Sequence, residues 1–323
     1  MRIIDITEPG GPDGLAERRA PDPTAERDEV VIAVAAAGVN NADLLQRRGH
    51  YAPPPGAPPW PGLEVSGTVV QAGPTASWRN GDSVVALLEG GGYAERVAVR
   101  SGQVLPLPDD VALTDGAALP EAACTVWSTL AAAGIRPGEW LLVHGGSGGV
   151  GSLAVQIGSA LGCRVIATAG GPARAARCKD LGADVVVDHR SADFVATARE
   201  ATDGRGVDVV LDVIGAAYLD RNLDALATGG RLAVIGLRKG RRGELDLGAL
   251  LTKRATVLGT TLRSRPPAEK AAIVAAVREH VWPMVADGRV RPVIHDRLPL
   301  ADAARAHELL ESGEVFGKLL LIP

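Results

Sequence analysis

The sequence predicts an α/β protein in which a doubly wound parallel sheet is joined to a smaller, irregular antiparallel β unit. Three observations predict it. From Trp140 to about Thr260, short β-branched runs alternate with longer Ala/Leu-rich stretches at helical spacing, the rhythm of repeated strand–helix–strand units. The first third instead shows short runs separated by Gly/Pro-rich turns, the pattern of antiparallel strands. The chain also has 323 residues, which suits two cores when a domain takes about 100–200 residues.

In the first unit the candidate strands are Val30 to Ala35, Gly67 to Gln71, Ser83 to Leu87 and Tyr93 to Val99. The run Pro53-Pro54-Pro55-Gly56-Ala57-Pro58-Pro59-Trp60-Pro61 lies between two of them. Embedded within one domain, it reads as a stiff surface loop rather than a ligand for an adaptor domain. Six strands follow, at Leu141 to Val143, Arg164 to Ala167, Val185 to Val187, Val207 to Val213, Arg231 to Ile235 and Thr256 to Leu258. Six parallel strands complete a doubly wound fold. The tail gives a helix from about Pro267 to Val285, a short segment at Val293-Ile294, a helix from about Ala301 to Ser312 and a strand from Lys318 to Ile322. Since the six-stranded sheet needs no more strands, the tail is expected to return to the first unit. The expected division is therefore residues 1–120 and 263–323 in one domain and 121–262 in the other.

Bulk properties exclude several classes. A hydrophobic fraction of 46% and a charged fraction of 22% belong to a globular protein rather than a disordered one. Lys+Arg 34 against Asp+Glu 38 gives a net charge of −4, with no basic block to neutralise a row of phosphates, so nucleic acid is disfavoured as a partner. The uncharged stretch from Leu141 to Cys163 is interrupted by seven glycines, too many for a membrane-spanning helix. The first residues carry no basic segment followed by an apolar run, so a cytoplasmic address is expected. Cys124, Cys163 and Cys178 are widely spaced and odd in number, which suits buried thiols rather than a disulfide framework.

Gly146-Ser147-Gly148-Gly149-Val150-Gly151 matches G-x-G-x-x-G directly after the strand Leu141 to Val143, and opens a helix running to Leu161. In that context a tight turn, close backbone approach to a diphosphate and tight helix packing each require a residue without a side chain. The helix start then points N–H groups and its positive dipole end at the diphosphate. The unit is thus expected to be a Rossmann domain. An NAD site places an acid at the end of the second strand to hold the ribose 2′-hydroxyl. Here that strand ends Thr168-Ala169-Gly170-Gly171, no acid occurs before Asp180, and Arg174 follows. This favours a 2′-phosphate and hence NADPH, although Arg174 also fits a solvated helix position. Asp212-Val213-Ile214-Gly215 and Val234-Ile235-Gly236-Leu237 close the fourth and fifth strands. Ile214, Gly236 and Leu237 are candidates for the nicotinamide side, with ordinary strand-ending turns as the alternative.

The stretch Gly38-Val39-Asn40-Asn41-Ala42-Asp43-Leu44-Leu45-Gln46-Arg47-Arg48-Gly49-His50-Tyr51, then Pro53 to Gly56, Pro61 to Gly67, the glycine turn, Thr261 to Arg265 and Gly317-Lys318 together resemble the zinc-independent, zeta-crystallin-like quinone oxidoreductases of the medium-chain dehydrogenases/reductases. Within that family the likeness is nearest to the stress-induced quinone oxidoreductases of animals. It covers nearly the whole chain in order. The resemblance implies a GroES-like catalytic domain formed by both chain ends around an inserted nucleotide domain, and a homodimer joined through edge strands near Thr256 to Thr261. It implies cofactor contacts from Thr125, Leu262 and Lys318. Asn40 stands where zinc-dependent relatives carry a ligating Cys, and Leu63 where they carry His. Neither is a zinc ligand, and His50, His144, His189, His280, His295 and His307 form no ligand set, so no metal site is expected. Two departures from the quinone-reductase pattern stand at the adenosine end: His189 in place of a Tyr, and Gly171 in place of a Ser.

Without a metal to polarise a carbonyl, an electron-poor acceptor such as a quinone can still take hydride from a well-positioned dihydronicotinamide. Tyr51, Asn40 and Asp43 are the candidates at the reacting end. Tyr51 could donate a hydrogen bond to the acceptor oxygen or simply pack; Asp43 could be a local cap. The rival activity is reduction of a 2-enoyl thioester or another α,β-unsaturated carbonyl. A rival of another class is a non-catalytic, crystallin-like NADPH-binding protein.

Overall fold

The computed structural model describes residues 1–323. They form two compact units, residues 1–124, 262–287 and 292–323 in the first and 125–261 with 288–291 in the second. The short 288–291 piece belongs to the second unit, although the chain on either side of it belongs to the first.

The first unit begins with a hairpin, β1 (Arg2–Ile6) and β2 (Leu15–Arg19), and continues through β3 (Glu29–Gly38), helix α1 (Asn41–Arg47), β4 (Glu64–Ala72), β5 (Ser83–Leu87), β6 (Arg96–Arg100) and β7 (Val104–Pro106). The alternation read in the sequence puts Val30, Ile32 and Val34 of β3, Val65 and Val69 of β4 and Val97 and Val99 of β6 into one core. Two register shifts between β3 and β4 make the sheet irregular. Helix α2 (Pro120–Ala132) leads into the second unit.

There the strands are β8 (Trp140–Val143), β9 (Arg164–Ala169), β10 (Val185–Asp188), β11 (Val207–Asp212), β12 (Leu226–Val234) and β13 (Thr256–Gly259). Helices α3 (Gly149–Ala160), α4 (Pro172–Asp180), α5 (Phe194–Ala201), α6 (Leu219–Ala225) and α7 (Leu247–Lys253) connect them. All strand pairs are parallel, in the order β10-β9-β8-β11-β12-β13. The order reverses between β8 and β11, and the carboxyl ends of those strands are where such sheets bind ligands. β12 starts five residues before the expected Arg231, because Leu226 already pairs with Val207 across a register shift.

The chain then supplies α8 (Pro267–His280), α9 (Trp282–Ala286), β14 (Ile294–Pro299), α10 (Ala303–Ser312) and β15 (Lys318–Ile322) to the first unit. The helix expected from Pro267 to Val285 is two helices, since Pro283 has no N–H to carry the first one onward. β15 pairs antiparallel with β3 and parallel with β14, so the seven-stranded sheet incorporates the tail. Leu319 and Leu321 join the core of β3 and β4.

Candidate active site

In the second unit, β8 runs into the turn that opens α3. Gly145 there has φ 69°, a conformation that favours glycine. A Cβ on Gly151 would lie 2.0 Å from the Gly145 carbonyl oxygen, and one on Gly146 would lie 2.9 Å from the Ala167 methyl. Both positions are therefore closed to side chains. A Cβ on Gly148 would meet nothing nearer than the Gly145 carbonyl oxygen at 3.5 Å. The backbone at Gly148 is thus approachable beside the first turn of α3, where Gly149 and Val150 start the helix and Ser147 precedes it. This is a cradle that fits a diphosphate.

A side-chain strut holds the turn. Thr168 Oγ1 accepts from the Gly145 N–H at 3.2 Å and lies 3.2 Å from His144 Nδ1, and His144 Nε2 lies 2.7 Å from Asn222 Oδ1. Complete burial drops His144 to about 4, so the ring is neutral at pH 7. Sequence reasoning missed this strut, because its members are far apart in the chain.

At the end of β9, Gly171 has φ 93° and its N–H donates to Asp188 Oδ1 at 2.8 Å. Arg174 Nε donates to the Gly170 carbonyl at 2.8 Å. His189 Nε2 lies 3.2 Å from where a Cβ on Gly170 would sit. Gly170, Gly171, Arg174 and His189 are therefore brought together. At the carboxyl ends of β11 and β12, buried Asp212 accepts from the N–H groups of Ile214 at 2.7 Å and Gly215 at 3.0 Å. Burial raises the Asp212 pKa while those two bonds lower it. The Ile214 carbonyl accepts from Lys239 N at 2.8 Å, and a Cβ on Gly236 would lie 2.9 Å from the Val213 carbonyl oxygen. Ile214, Gly236 and exposed Leu237 thus cluster there. Thr125 lies on α2, its carbonyl accepting from the Thr129 hydroxyl at 2.6 Å.

The first unit holds a different kind of site. Asn40 caps α1, and the Asp43 carboxylate returns a bond to the Asn40 N–H at 2.8 Å. Asp43 also accepts from the Gly62 N–H at 3.0 Å and from the Tyr93 hydroxyl at 3.3 Å. Burial pushes Asp43 up to about 6 against these bonds. The Asn40 amide nitrogen donates to Glu64 Oε1 at 2.9 Å, and Lys318 Nζ donates to Asn40 Oδ1 at 2.6 Å and to Glu64 Oε1. Glu64 Oε2 accepts from the Glu121 N–H at 2.9 Å. Gly38 makes room for this: a Cβ there would lie 2.4 Å from Glu64 Oε1. Asn40, Glu64 and Lys318 are all buried.

Tyr51 is half-buried, with the Arg263 guanidinium 5.1 Å above its ring centre. Burial raises the Tyr51 pKa, so the hydroxyl is protonated at pH 7. Arg263 also donates to the carbonyls of Tyr51 at 3.1 Å and Glu89 at 2.7 Å and to Gln46 Oε1 at 2.7 Å. It therefore fastens the loop that carries Tyr51. Half-buried Leu262 precedes it. The Tyr93 hydroxyl also lies 3.0 Å from His307 Nε2; the roles of Arg263, Glu64, Tyr93 and His307 were not legible, because each depends on partners tens or hundreds of residues away. No group of three or more His, Cys, Asp or Glu side chains is placed to hold a metal ion.

The open glycine turn at the switch point of a parallel sheet, in a chain whose β unit holds a buried polar cluster, defines a dinucleotide-binding protein of two units. Residues 26–109 match the alcohol dehydrogenase GroES-like domain and residues 149–278 the zinc-binding dehydrogenase domain. The chain is 33% identical to the quinone oxidoreductase of Rattus norvegicus over 332 aligned residues, covering 100% of this chain and 98% of that one. Among solved structures it resembles Escherichia coli quinone oxidoreductase complexed with NADPH (TM-score 0.89, 30% identity, 100% of both chains). It also resembles the CurK enoyl reductase (TM-score 0.86, 26% identity, 99% of this chain and 98% of that one). The chain belongs to the medium-chain dehydrogenase/reductase family, as an oxidoreductase of the quinone oxidoreductase type.

Proposed function

We propose that the protein binds NADPH and transfers hydride from it to a quinone-like acceptor without a zinc ion. The observation that carries this reading is the state of Asn40. Its amide is tied on both sides to Glu64 and Lys318, in a set with neither thiolate nor imidazole, and an amide so engaged is not a zinc ligand. The full-length likeness to quinone oxidoreductases supports the acceptor class.

Bound NADPH supplies the hydride. The residues of this chain bind and orient. The turn from Gly146 to Gly151 would receive the diphosphate on backbone N–H groups, and the Ile214, Gly236 and Leu237 corner would serve the nicotinamide side. Asn40 and Asp43, fixed by their buried partners, shape the acceptor end. Tyr51, protonated and steadied by Arg263, donates a hydrogen bond to the acceptor oxygen. A quinone is electron-poor already, so positioning supplies most of the acceleration.

Tyr51 also supports a second reading, reduction of an α,β-unsaturated carbonyl, because an enolate must be protonated by a placed acid. The test is oxidation of NADPH followed at 340 nm against para-quinones, short enones and an enoyl-CoA, with and without a chelator. Tyr51→Phe is expected to slow quinone reduction less than about tenfold. It would slow enone reduction by about 10²–10⁴-fold if Tyr51 is its acid. Turnover of the enoyl-CoA alone would replace the quinone assignment, and loss of activity on chelation would contradict a zinc-free site. Binding of NADPH with no turnover of any acceptor would support the non-catalytic alternative.

We also propose a homodimer built on β13. This strand pairs only with β12 and exposes Val257 on its free edge, and an open edge is a template for a second copy. Val257→Pro should give a monomer by light scattering; an unchanged mass would place the contact elsewhere.

A further inference from the structure

The turn at the end of β9 is braced from within by two groups already described. The Gly171 N–H is bonded to Asp188, and Arg174 Nε to the Gly170 carbonyl. Arg190 differs from both. Its backbone N–H donates to Asp188 Oδ1 at 3.1 Å, which fixes where its side chain starts. Its guanidinium makes no hydrogen bond or ion pair within the protein. Arg190 Nε lies 3.3 Å from where a Cβ on Gly170 would sit, and one Nη lies 3.7 Å from where a Cβ on Gly171 would sit. An uncommitted cation is thus laid across the side-chain-free face of both glycines.

In a doubly wound sheet, the adenosine ribose lies off the end of the second strand, and an acid there selects a free 2′-hydroxyl. Here β9 ends in Ala169-Gly170-Gly171 without an acid. A 2′-phosphate brings close to two negative charges and three acceptor oxygens, and the guanidinium fork can meet two of them at once. The nearby Asp188 carboxylate would oppose a phosphate, but the N–H groups of Gly171 and Arg190 occupy it, and it keeps Arg190 beside the turn. Arg174 approaches the same turn with Nε bonded to the Gly170 carbonyl, a contact that braces the turn.

We propose that Arg190 recognises the 2′-phosphate of the cofactor and is the residue that sets NADPH over NADH. The inference rests on the dinucleotide-site reading and not on the identity of the acceptor. It is tested by binding alone, with calorimetric titration of the purified protein with 2′,5′-ADP, 5′-AMP, NADPH and NADH for the wild type, Arg190→Gln, Arg190→Lys and Arg174→Gln.

Arg190→Gln should weaken 2′,5′-ADP and NADPH by about 10- to 100-fold and leave 5′-AMP and NADH within about twofold. Arg190→Lys should recover part of the loss. The salt dependence of NADPH affinity should be shallower in Arg190→Gln, since one ionic contact is gone. Arg174→Gln should weaken all four ligands alike by loosening the turn. An unchanged ratio of 2′,5′-ADP to 5′-AMP affinity in Arg190→Gln would overturn the proposal, as would loss of that ratio in Arg174→Gln alone. Wild-type protein binding 2′,5′-ADP and 5′-AMP equally would also overturn it. Binding of none of the four ligands would sink the dinucleotide-site reading itself.

Discussion

The glycine turn between β8 and α3 and the buried cluster of Asn40, Asp43, Glu64 and Lys318 are both functional candidates, yet they are built from opposite materials. The turn works by omission: Gly146 and Gly151 carry no side chain because Ala167 and the Gly145 carbonyl leave no room, and Gly148 leaves the backbone open. The cluster works by commitment, with each charged or polar side chain holding another in a dry interior. A site of omission tolerates change at its neighbours and none at its glycines. A site of commitment fails when one partner is removed, because the other is left as an uncompensated buried charge.

The sharpest way to break that contrast is Lys318→Met, which leaves Glu64 buried beside Asn40 without its cation. A loss of about 3–5 kcal/mol is expected in urea denaturation. Adding Glu64→Gln should recover much of it, and a double variant no more stable than the single would show that the ion pair is not what holds the cluster. Gly151→Ala should cost about 1–3 kcal/mol, because the new methyl meets the backbone of Gly145 and Gly146 and the turn must distort to admit it. It should nonetheless abolish dinucleotide binding, and retained binding with normal stability would mean the turn is looser than its 2.0 Å approach indicates.

The smallest effect concerns protons. His144 in the second unit is lowered to about 4 and His307 in the first to about 3, each chiefly by burial. Below the ordinary histidine value of 6.5 the unfolded chain binds protons that these folded rings refuse. The stability they give is complete above that value and is lost as pH falls through the window. Asp43, raised to about 6 from 3.8, acts the other way: its contribution is present below 3.8 and is lost as pH rises through 6. The two histidine shifts, larger than those of Asp43 and of Asp212, which burial also raises, predict net weakening from pH 6.5 to 4. His307→Gln should flatten that limb when urea midpoints at pH 5 and pH 7.5 are compared. An unchanged difference would assign acid sensitivity to other groups.

The same contrast explains what could be read in advance. The turn from Gly146 to Gly151 was legible because a strand, six residues and a helix contain the whole device, and the six parallel strands announced themselves by β-branched runs. Ser83–Leu87 and Lys318–Ile322 were legible for the same reason. The break at Val281 between α8 and α9 was missed although Pro283 signals it locally. No local pattern marks Arg190, and only the fold lays its guanidinium over Gly170. Lys318 could be marked from a resemblance, but not its burial against Glu64, 254 residues away.

By itself the sequence determined the α/β class and the glycine turn, since periodicity and missing side chains act over a few residues. Only the tertiary structure decided the distant partners of Asn40, Asp43 and Tyr51 and laid Arg190 over Gly170. A hydrogen bond or ion pair in the interior depends on which distant segments the sheet order brings within about 3 Å, and no local pattern encodes that distance.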